Sequence, residues 1–193
     1  YTESTKQWKN YYQDPLTTKR NKHMQKMFLD QVQVDNAIQD IVSQMYKDQW
    51  RPDYIVGITR GGLYPALIMS HQYELLMHTL DVRLRDGTST NESNCWMAED
   101  AFGCISEAEQ PIFKSRWDPS RRKKILIVDD INDTGATFEW IKDDWRAGCM
   151  PQEHDSWNVV FGDGGNVRFA SIVNNLGSDI NINYTSIEIN KAE

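Results

Sequence analysis

The chain has 193 residues and a formal net charge of −7, with 39% hydrophobic and 25% charged residues. This composition is typical of a globular protein that buries a core in one domain. The negative charge argues against nucleic acid as the main partner, and no apolar run is long enough to cross a membrane. Three cysteines without CxxC spacing favour a reducing, cytoplasmic compartment over a disulfide framework.

The first part of the chain predicts an arm followed by a helix. Residues 1–33 are polar and aromatic without a sustained period, so we expect an arm lying over the core, with a short edge strand within 26–33. Residues 34–47 place apolar side chains at the i, i+3, i+4, i+7 positions of an amphipathic helix. Asp35 is the predicted N-cap of that helix.

A buried strand followed by a glycine pair comes next. Residues 54–57 (YIVG) predict the strand, and an apolar helix follows through about Met69. Between them, Arg60 stands beside Gly61 and Gly62. A fixed cation next to exposed backbone amides is suited to binding one anion. The alternative is a plain turn of an α/β fold.

Two weaker patterns follow this unit. Residues 80–84 alternate apolar and polar side chains, which predicts a strand with one solvated face. Residues 86–113 are acidic, contain no Lys or Arg and show no clear period. A long loop in a compact domain is usually a lid or a solvated insertion, and the sequence leaves both open.

Residues 123–140, read KKILIVDDINDTGATFEW, carry the strongest signal in the chain. Four apolar residues predict a strand buried on both faces, and Asp129 and Asp130 follow where it ends. Residues 133–137 (DTGAT) then lead into a helix, whose free N–H groups and dipole favour a phosphate. Because carboxylates repel phosphate, the two acids should face hydroxyls or a metal. The alternative is an ordinary turn with Asp133 or Thr134 as the helix N-cap.

The rest of the chain completes an α/β pattern. The helix at 136–146 should end near Gly148, and the polar residues 149–166 indicate an insertion. Residues 167–173 (VRFASIV) predict another strand, and residues 180–189 a final strand or hairpin. The four histidines show no metal-ligand spacing.

An apolar strand, two acids, two further residues and Asp-Thr-Gly-x-Thr together resemble the phosphoribosyl-pyrophosphate (PRPP) loop of type I phosphoribosyltransferases. The Arg60–Gly61 turn is similar to the pyrophosphate loop of that family, in which the peptide is often cis. The resemblance implies a central, mostly parallel sheet flanked by helices, with a small hood. It assigns the domain to residues 34–193, with insertions at 86–113 and 149–166, the first holding a mobile lid, and gives residues 1–33 to the arm or hood.

The resemblance also implies a function: transfer of the 5-phosphoribosyl group from PRPP to a nitrogen base, with Mg²⁺ and release of pyrophosphate. Each part of PRPP receives its own residues. The resemblance implies that the 5′-phosphate is bound by the Asp133 backbone with Thr134, Gly135, Ala136 and Thr137. It implies that Asp129 and Asp130 bind the ribose hydroxyls, and that Arg60 and Gly61 bind pyrophosphate. Asp130 is also the expected metal contact. Asp133 is the expected catalytic group beside the base. Family members are commonly dimers or tetramers, so the resemblance implies a homodimer or homotetramer.

The acceptor base is less determined. The motif spacing most resembles the xanthine/guanine/hypoxanthine branch, which implies a 6-oxopurine and purine salvage. That branch usually has a lysine just after the strand at 167–173, where this chain has Asn174 and Asn175, so Asn175 is the expected base contact. Two alternatives stay open: a PRPP-sensing regulator without activity, and a transferase for a different nucleophile.

Overall fold

A computed structural model of the protein describes residues 27–84, 91, 95–109, 116–149 and 157–190. The chain divides into two units, Tyr1–Asp30 and Gln31–Glu193. The helices and strands described below belong to the second unit. The arm predicted for the N-terminus lies outside the described residues, except for residues 27–30, which have no regular secondary structure.

Helices and strands alternate through most of the described chain. The helices are α1 (Gln31–Lys47), α2 (Leu63–Tyr73), α3 (Cys95–Phe102), α4 (Ala136–Asp144) and α5 (Trp157–Phe161). The strands are β1 (Tyr54–Ile58), β2 (Leu76–Leu80), β3 (Ile125–Asn132), β4 (Val167–Asn175) and β5 (Tyr184–Ile189). A short 3-10 turn covers Pro119–Arg121, and a π-helical turn covers Trp145–Cys149.

The strands form one five-stranded sheet in the order β2-β1-β3-β4-β5, and every neighbouring pair is parallel. The predicted fold class, an α/β parallel sheet flanked by helices, is confirmed. All of β1 is buried, and Ile125, Leu126, Ile127 and Val128 of β3 are 0% exposed. These central strands read as unbroken apolar runs because both faces of the sheet are covered.

The last strand resolves one open alternative. β5 pairs in parallel with β4, with Ala170 opposite Tyr184, so it is a strand of the main sheet and not one arm of a hairpin. β4 extends two residues beyond the predicted 167–173 and includes Asn174 and Asn175. This extension brings both asparagines to the edge of the sheet where β3 also ends.

The start of the domain differs from the prediction. The edge strand expected within 26–33 is wrong for the described residues, because α1 already begins at Gln31. Asp35 therefore lies inside the helix and is not its N-cap. Its carboxylate instead accepts hydrogen bonds from the Gln31 side chain (2.9 Å) and from the Tyr64 hydroxyl (2.7 Å).

The strand at one edge of the sheet, β2, is also shifted relative to the prediction. The strand predicted at 80–84 is β2 at Leu76–Leu80, and only Leu80 is shared. β2 pairs with β1 from Tyr54–Leu76 to Ile58–Leu80, and pairing stops there because β1 gives way to a turn at Thr59. Residues 81–84 continue past the end of β2, where Val82 is buried as the alternation predicted, whereas Leu84 is exposed.

Both predicted insertions contain helices that pack on the core. In 86–113, helix α3 buries Met97, Ala98, Ala101 and Phe102 against the sheet cluster, so this part is neither a lid nor a solvated loop. In 149–166, helix α5 buries Val160. The remaining stretches, 85–90, 92–94, 110–115 and 150–156, lie outside the described residues, and the lid assignment there stays a prediction.

Two further expectations need correction. Helix α4 ends at Asp144 and continues into the π-helical turn, so Gly148 lies within that turn instead of ending an α-helix. Cys95 is disulfide-bonded, which the unpaired cysteine spacing did not predict, whereas Cys104 is free. In the part of the chain that is described, no helix combines the length and the apolar character needed to span a membrane.

Candidate functional site

The two loops singled out in the sequence meet at one edge of the sheet. β1 and β3 are adjacent parallel strands, with Gly57 opposite Val128. The turn at 59–62 follows β1, and 129–137 covers the last four residues of β3 and the loop after it, so both segments lie at the same carboxyl edge. In open α/β sheets, ligands bind in the crevice at this edge. The proposition that these segments come together is confirmed.

A cavity of about 680 Å³ lies between these segments. Its volume is within the usual range for small-molecule sites. It is lined by Ile58, Thr59, Arg60, Gly61, Val82, Arg83, Leu84 and residues 129–138. The PRPP-contact residues predicted from the sequence all belong to this lining.

The glycine pair lets the first loop sit directly on β3. A Cβ placed on Gly62 would lie 2.2 Å from the carbonyl oxygen of Val128 and 2.9 Å from the Cα of Asp129. A Cβ on Gly61 would lie 2.2 Å from the carboxylate carbon of Asp130. The Arg60–Gly61 turn and the acid pair are thus in direct contact, which a larger residue at Gly62 would prevent.

The two acids differ in exposure. The side chain of Asp129 is largely buried, with the residue 9% exposed, and its Oδ1 accepts a hydrogen bond from the backbone N–H of Asp130 at 2.9 Å. Asp130 is exposed and borders Gly61. Neighbouring residues on a strand point to opposite faces, which separates the two carboxylates. Both line the cavity, so neither is closed off from a ligand.

The second loop presents free donors at the start of α4. Gly135 has φ of +88° and is the N-cap of the helix, with no side-chain cap, so neither Asp133 nor Thr134 takes that role. Ala136 N–H donates to the Thr134 hydroxyl over 3.4 Å. Among the described residues, the N–H groups of Thr134 and Gly135 have no protein acceptor. Unpaired donors at a helix start form an anion site.

A network at the end of β2 was not anticipated from the sequence. The carboxylate of Asp81 accepts hydrogen bonds from the Thr59 hydroxyl (2.7 Å) and from Arg83 Nε (2.8 Å). The Thr59 hydrogen bond first, and then that of Arg83, hold the pKa of Asp81 below its ordinary value. Arg83 lines the same cavity as Arg60 and adds a second cation to its lining. The alternation at 80–84 was its signal, since it places Arg83 on the solvated face.

The cis peptide bond of the first loop lies one residue before the expected position. The cis bond lies between Thr59 and Arg60, and the expectation of a cis bond at Arg60–Gly61 is wrong. β1 extends through Ile58, so the loop begins at Thr59, and its first internal peptide bond is the cis one.

Asn175 lies beside the second loop and is not part of the cavity lining. Its Nδ2 donates to the backbone carbonyl of Asp133 at 2.8 Å and lies 3.4 Å from Asp133 Oδ1. Its Oδ1 accepts from Gly177 N–H at 3.2 Å. Asn174 accepts a hydrogen bond from the side chain of Asn132 at 2.8 Å. Both asparagines are therefore joined to the loop between β3 and α4.

Comparison with known families supplies the deciding observation. The family model described as "Phosphoribosyl transferase domain" matches residues 24–161, well over half of the chain. The chain belongs to the phosphoribosyltransferase family. The resemblance drawn from the two loop motifs is therefore confirmed.

Individual phosphoribosyltransferases show how far the similarity extends. A xanthine-guanine phosphoribosyltransferase of Cereibacter sphaeroides is 34% identical over 93 residues, which are 48% of this chain and 46% of that protein. The match thus spans less than half of the relative's length.

Solved structures share the fold across most of the chain. A purine phosphoribosyltransferase of Pyrococcus horikoshii has a TM-score of 0.55 and 22% identity, covering 87% of this chain and 91% of its own. A xanthine-guanine-hypoxanthine phosphoribosyltransferase of Helicobacter pylori has a TM-score of 0.53 and 14% identity, covering 82% of this chain and 83% of its own.

Proposed function

We propose that the protein transfers the 5-phosphoribosyl group of PRPP to a 6-oxopurine, with Mg²⁺, and releases pyrophosphate. One observation carries the proposal: a single cavity is lined by the Arg60–Gly61 turn, the acid pair and the loop at 133–137. These are three different kinds of binding group, and PRPP offers a partner for each. The xanthine-guanine phosphoribosyltransferase similarity supports a 6-oxopurine acceptor.

Each part of PRPP matches one part of the cavity. The free N–H groups of Thr134 and Gly135 and the positive end of the α4 dipole suit the 5′-phosphate. Asp129 and Asp130 suit the 2′- and 3′-hydroxyls, because carboxylates accept hydrogen bonds from hydroxyls. Arg60 and the Gly61 amide suit the multiply charged pyrophosphate, and Arg83 adds positive charge to the same cavity.

The acid pair also fits the expected metal. Magnesium is usually held by one or two carboxylates together with substrate phosphates and water. Asp130 is exposed at the cavity and would supply such a carboxylate. In the described part of the chain, no group of three or more acidic, His or Cys side chains is placed to hold a metal alone, which agrees with a metal shared with the substrate. When bound, Mg²⁺ neutralises charge on the departing pyrophosphate.

The reaction is a displacement at C1′ of the ribose. The bond from C1′ to the pyrophosphate oxygen breaks, and its electron pair leaves with pyrophosphate. A bond forms between C1′ and the base nitrogen, while Asp133 accepts the proton of the base or holds that nitrogen in position. Arg60 and the Gly61 amide stabilise the negative charge that develops on pyrophosphate as its bond to C1′ breaks in the transition state.

A second candidate is a transferase that uses another nitrogen nucleophile. The observation that favours it is the pair of asparagines at the end of β4, where the purine branch has a lysine. Asn175 was predicted to contact the base. Its amide is bonded to Asp133 instead, so its effect on the base in this proposal passes through that residue. Cytoplasmic localisation, a homodimer or homotetramer, and the absence of a nucleic-acid partner remain part of the proposal.

The test is an incubation of the protein with PRPP, Mg²⁺ and a panel of bases, with pyrophosphate release as the readout. Release that depends on guanine, hypoxanthine or xanthine is the expected result, and a reaction without base measures background hydrolysis of PRPP. Pyrophosphate release only with a different nucleophile would show that the acceptor is not a 6-oxopurine. Tight binding of PRPP without any turnover would instead indicate the regulator.

A further inference from the structure

We infer that Asn175 is a positioning residue: its side-chain amide fixes the Asp133–Thr134 peptide so that the donors of the phosphate loop face the cavity. The phosphate loop is defined here as residues 133–137. This inference rests on the proposed function, since it assigns the loop to the 5′-phosphate of PRPP. It concerns a contact behind the loop, on the side away from the ligand.

The amide of Asn175 is fully engaged by its neighbours. Nδ2 donates to the carbonyl oxygen of Asp133 at 2.8 Å and approaches its carboxylate at 3.4 Å. Oδ1 accepts from the N–H of Gly177 at 3.2 Å, which fixes the orientation of the amide. Asn175 is 8% exposed, so water competes little for these bonds. The contact is therefore an ordered one with a defined donor.

The geometry of the peptide bond determines the direction in which the N–H groups of the phosphate loop point. In a trans peptide, the C=O and N–H bonds point to opposite sides. Because the Asp133 carbonyl points to Asn175, the N–H of Thr134 points away from Asn175. The same geometry applies to the Thr134–Gly135 peptide. The Thr134 carbonyl accepts a hydrogen bond from the N–H of Asp179 at 3.3 Å, so the N–H of Gly135 points away from Asp179. Both N–H groups lack a protein acceptor among the described residues.

The support behind Asn175 is itself rigid. β3 and β4 remain paired up to Asn132 and Asn174, one residue before the contact. Asn132 is 2% exposed, and its Nδ2 donates to Asn174 Oδ1 (2.8 Å) and Ser178 Oγ (3.0 Å). These bonds attach residues 174–178 to the end of β3. The donor on Asn175 is thus held at a fixed distance from the phosphate loop.

The test measures binding at the two ends of the site separately, with two half-ligands. Ribose 5-phosphate represents the 5′-phosphate end of PRPP, and magnesium pyrophosphate represents the other end. The Asn175→Asp variant keeps the shape of the side chain but replaces the donor with a charged acceptor facing the Asp133 carbonyl. Isothermal titration calorimetry would measure binding of ribose 5-phosphate and, separately, of magnesium pyrophosphate. We expect ribose 5-phosphate to bind about tenfold more weakly, as for loss of one hydrogen bond to a charged group, with pyrophosphate binding unchanged.

Asn181→Asp is the matched control, since it makes the same change at an exposed position in the same connection. It should leave both affinities unchanged. Equal weakening of both half-ligands by Asn175→Asp would indicate a general structural role, and no weakening of either would remove the role; each result overturns the inference. If Asn175→Asp does not fold, Asn175→Ala, which removes the donor without adding charge, is judged by the same criteria.

The wild-type protein distinguishes this inference from the function on which it rests. Binding of both half-ligands by the wild type, with ribose 5-phosphate affinity unchanged in Asn175→Asp, would end the positioning role alone. Binding of neither half-ligand by the wild type would overturn the proposed function, and the inference with it.

Discussion

Gly62 lies against the backbone of Val128, so closely that a Cβ on the glycine would be 2.2 Å from the Val128 carbonyl oxygen. Gly62 belongs to the first loop and Val128 is the last apolar residue before the acid pair. The distance between the Arg60–Gly61 turn and the two acids is therefore limited by the close approach of Gly62 to the backbone of β3. Backbone atoms on β3 cannot move aside as a flexible side chain can.

The first prediction concerns this contact. Gly62→Ala should displace the Arg60–Gly61 turn from Asp129 and Asp130 and lower the stability by about 1–3 kcal/mol, as overpacking does. Calorimetric unfolding and PRPP titration would measure the two effects. Gly148→Ala is the control, because nothing lies within 4 Å of a Cβ at that position. An unchanged PRPP affinity in Gly62→Ala would show that the contact does not set the site geometry.

The second prediction concerns Asp133. Asp133→Asn should lower turnover about a hundredfold or more, the usual range for a general acid or base, with far less effect on PRPP affinity. Steady-state kinetics and PRPP titration would separate the two quantities. Asp143→Asn, an exposed change on α4, is the control and should alter neither. Equal losses in turnover and affinity would remove the base role assigned to Asp133.

The third prediction concerns the Asp81 network. Asp81→Ala removes the carboxylate that accepts hydrogen bonds from Thr59 and Arg83, and PRPP should bind up to about fivefold more weakly, since exposed ion pairs contribute little. Binding of magnesium pyrophosphate should weaken to the same extent, because Thr59 and Arg83 line the cavity together with Arg60. Glu109→Gln breaks another exposed arginine pair, with Arg121, outside the cavity lining. If Glu109→Gln weakened pyrophosphate binding as much, the effect would be a general loss of charge balance.

The fourth prediction concerns alkaline unfolding. Burial raises the pKa of Tyr184 to about 12, and its hydroxyl bonds Asp48 and Arg168. The unfolded tyrosine loses its proton near pH ~10, whereas the folded one keeps it. Stability from this group is thus complete below about pH 10 and falls as the pH rises towards the folded pKa.

Urea unfolding from pH ~9 to ~12 would measure this loss, and Tyr184→Phe should show a smaller decrease over that range because the titrating group is absent. Tyr46→Phe, at an 81% exposed position, should retain the wild-type decrease. An identical decrease in Tyr184→Phe and wild type would show that other groups govern alkaline stability.

The local sequence was sufficient to predict the structure where a short segment has a distinctive pattern of its own. Ile125 to Val128 predicted a strand covered on both faces. The acids, which were expected after that strand, are part of β3, which runs to Asn132, and the Asp-Thr-Gly turn follows it. The predicted strands overlap β1, β3, β4 and β5 for the same reason. Helix α3 was missed because its eight residues buried their apolar side chains without a long periodic pattern. β2 was misplaced because its limit depends on its partner, β1.

By itself, then, the sequence determined the chemistry at the ends of the central strands: a cation beside glycines, two carboxylates, and a loop of free donors. Tertiary structure alone decided how these groups are arranged. Strand pairing made one acid exposed and the other buried, and brought Arg83 to the cavity. The extension of β4 turned Asn175 from an expected base contact into a support for Asp133. These outcomes depend on residues 40 or more positions apart along the chain, and no local pattern encodes such distances.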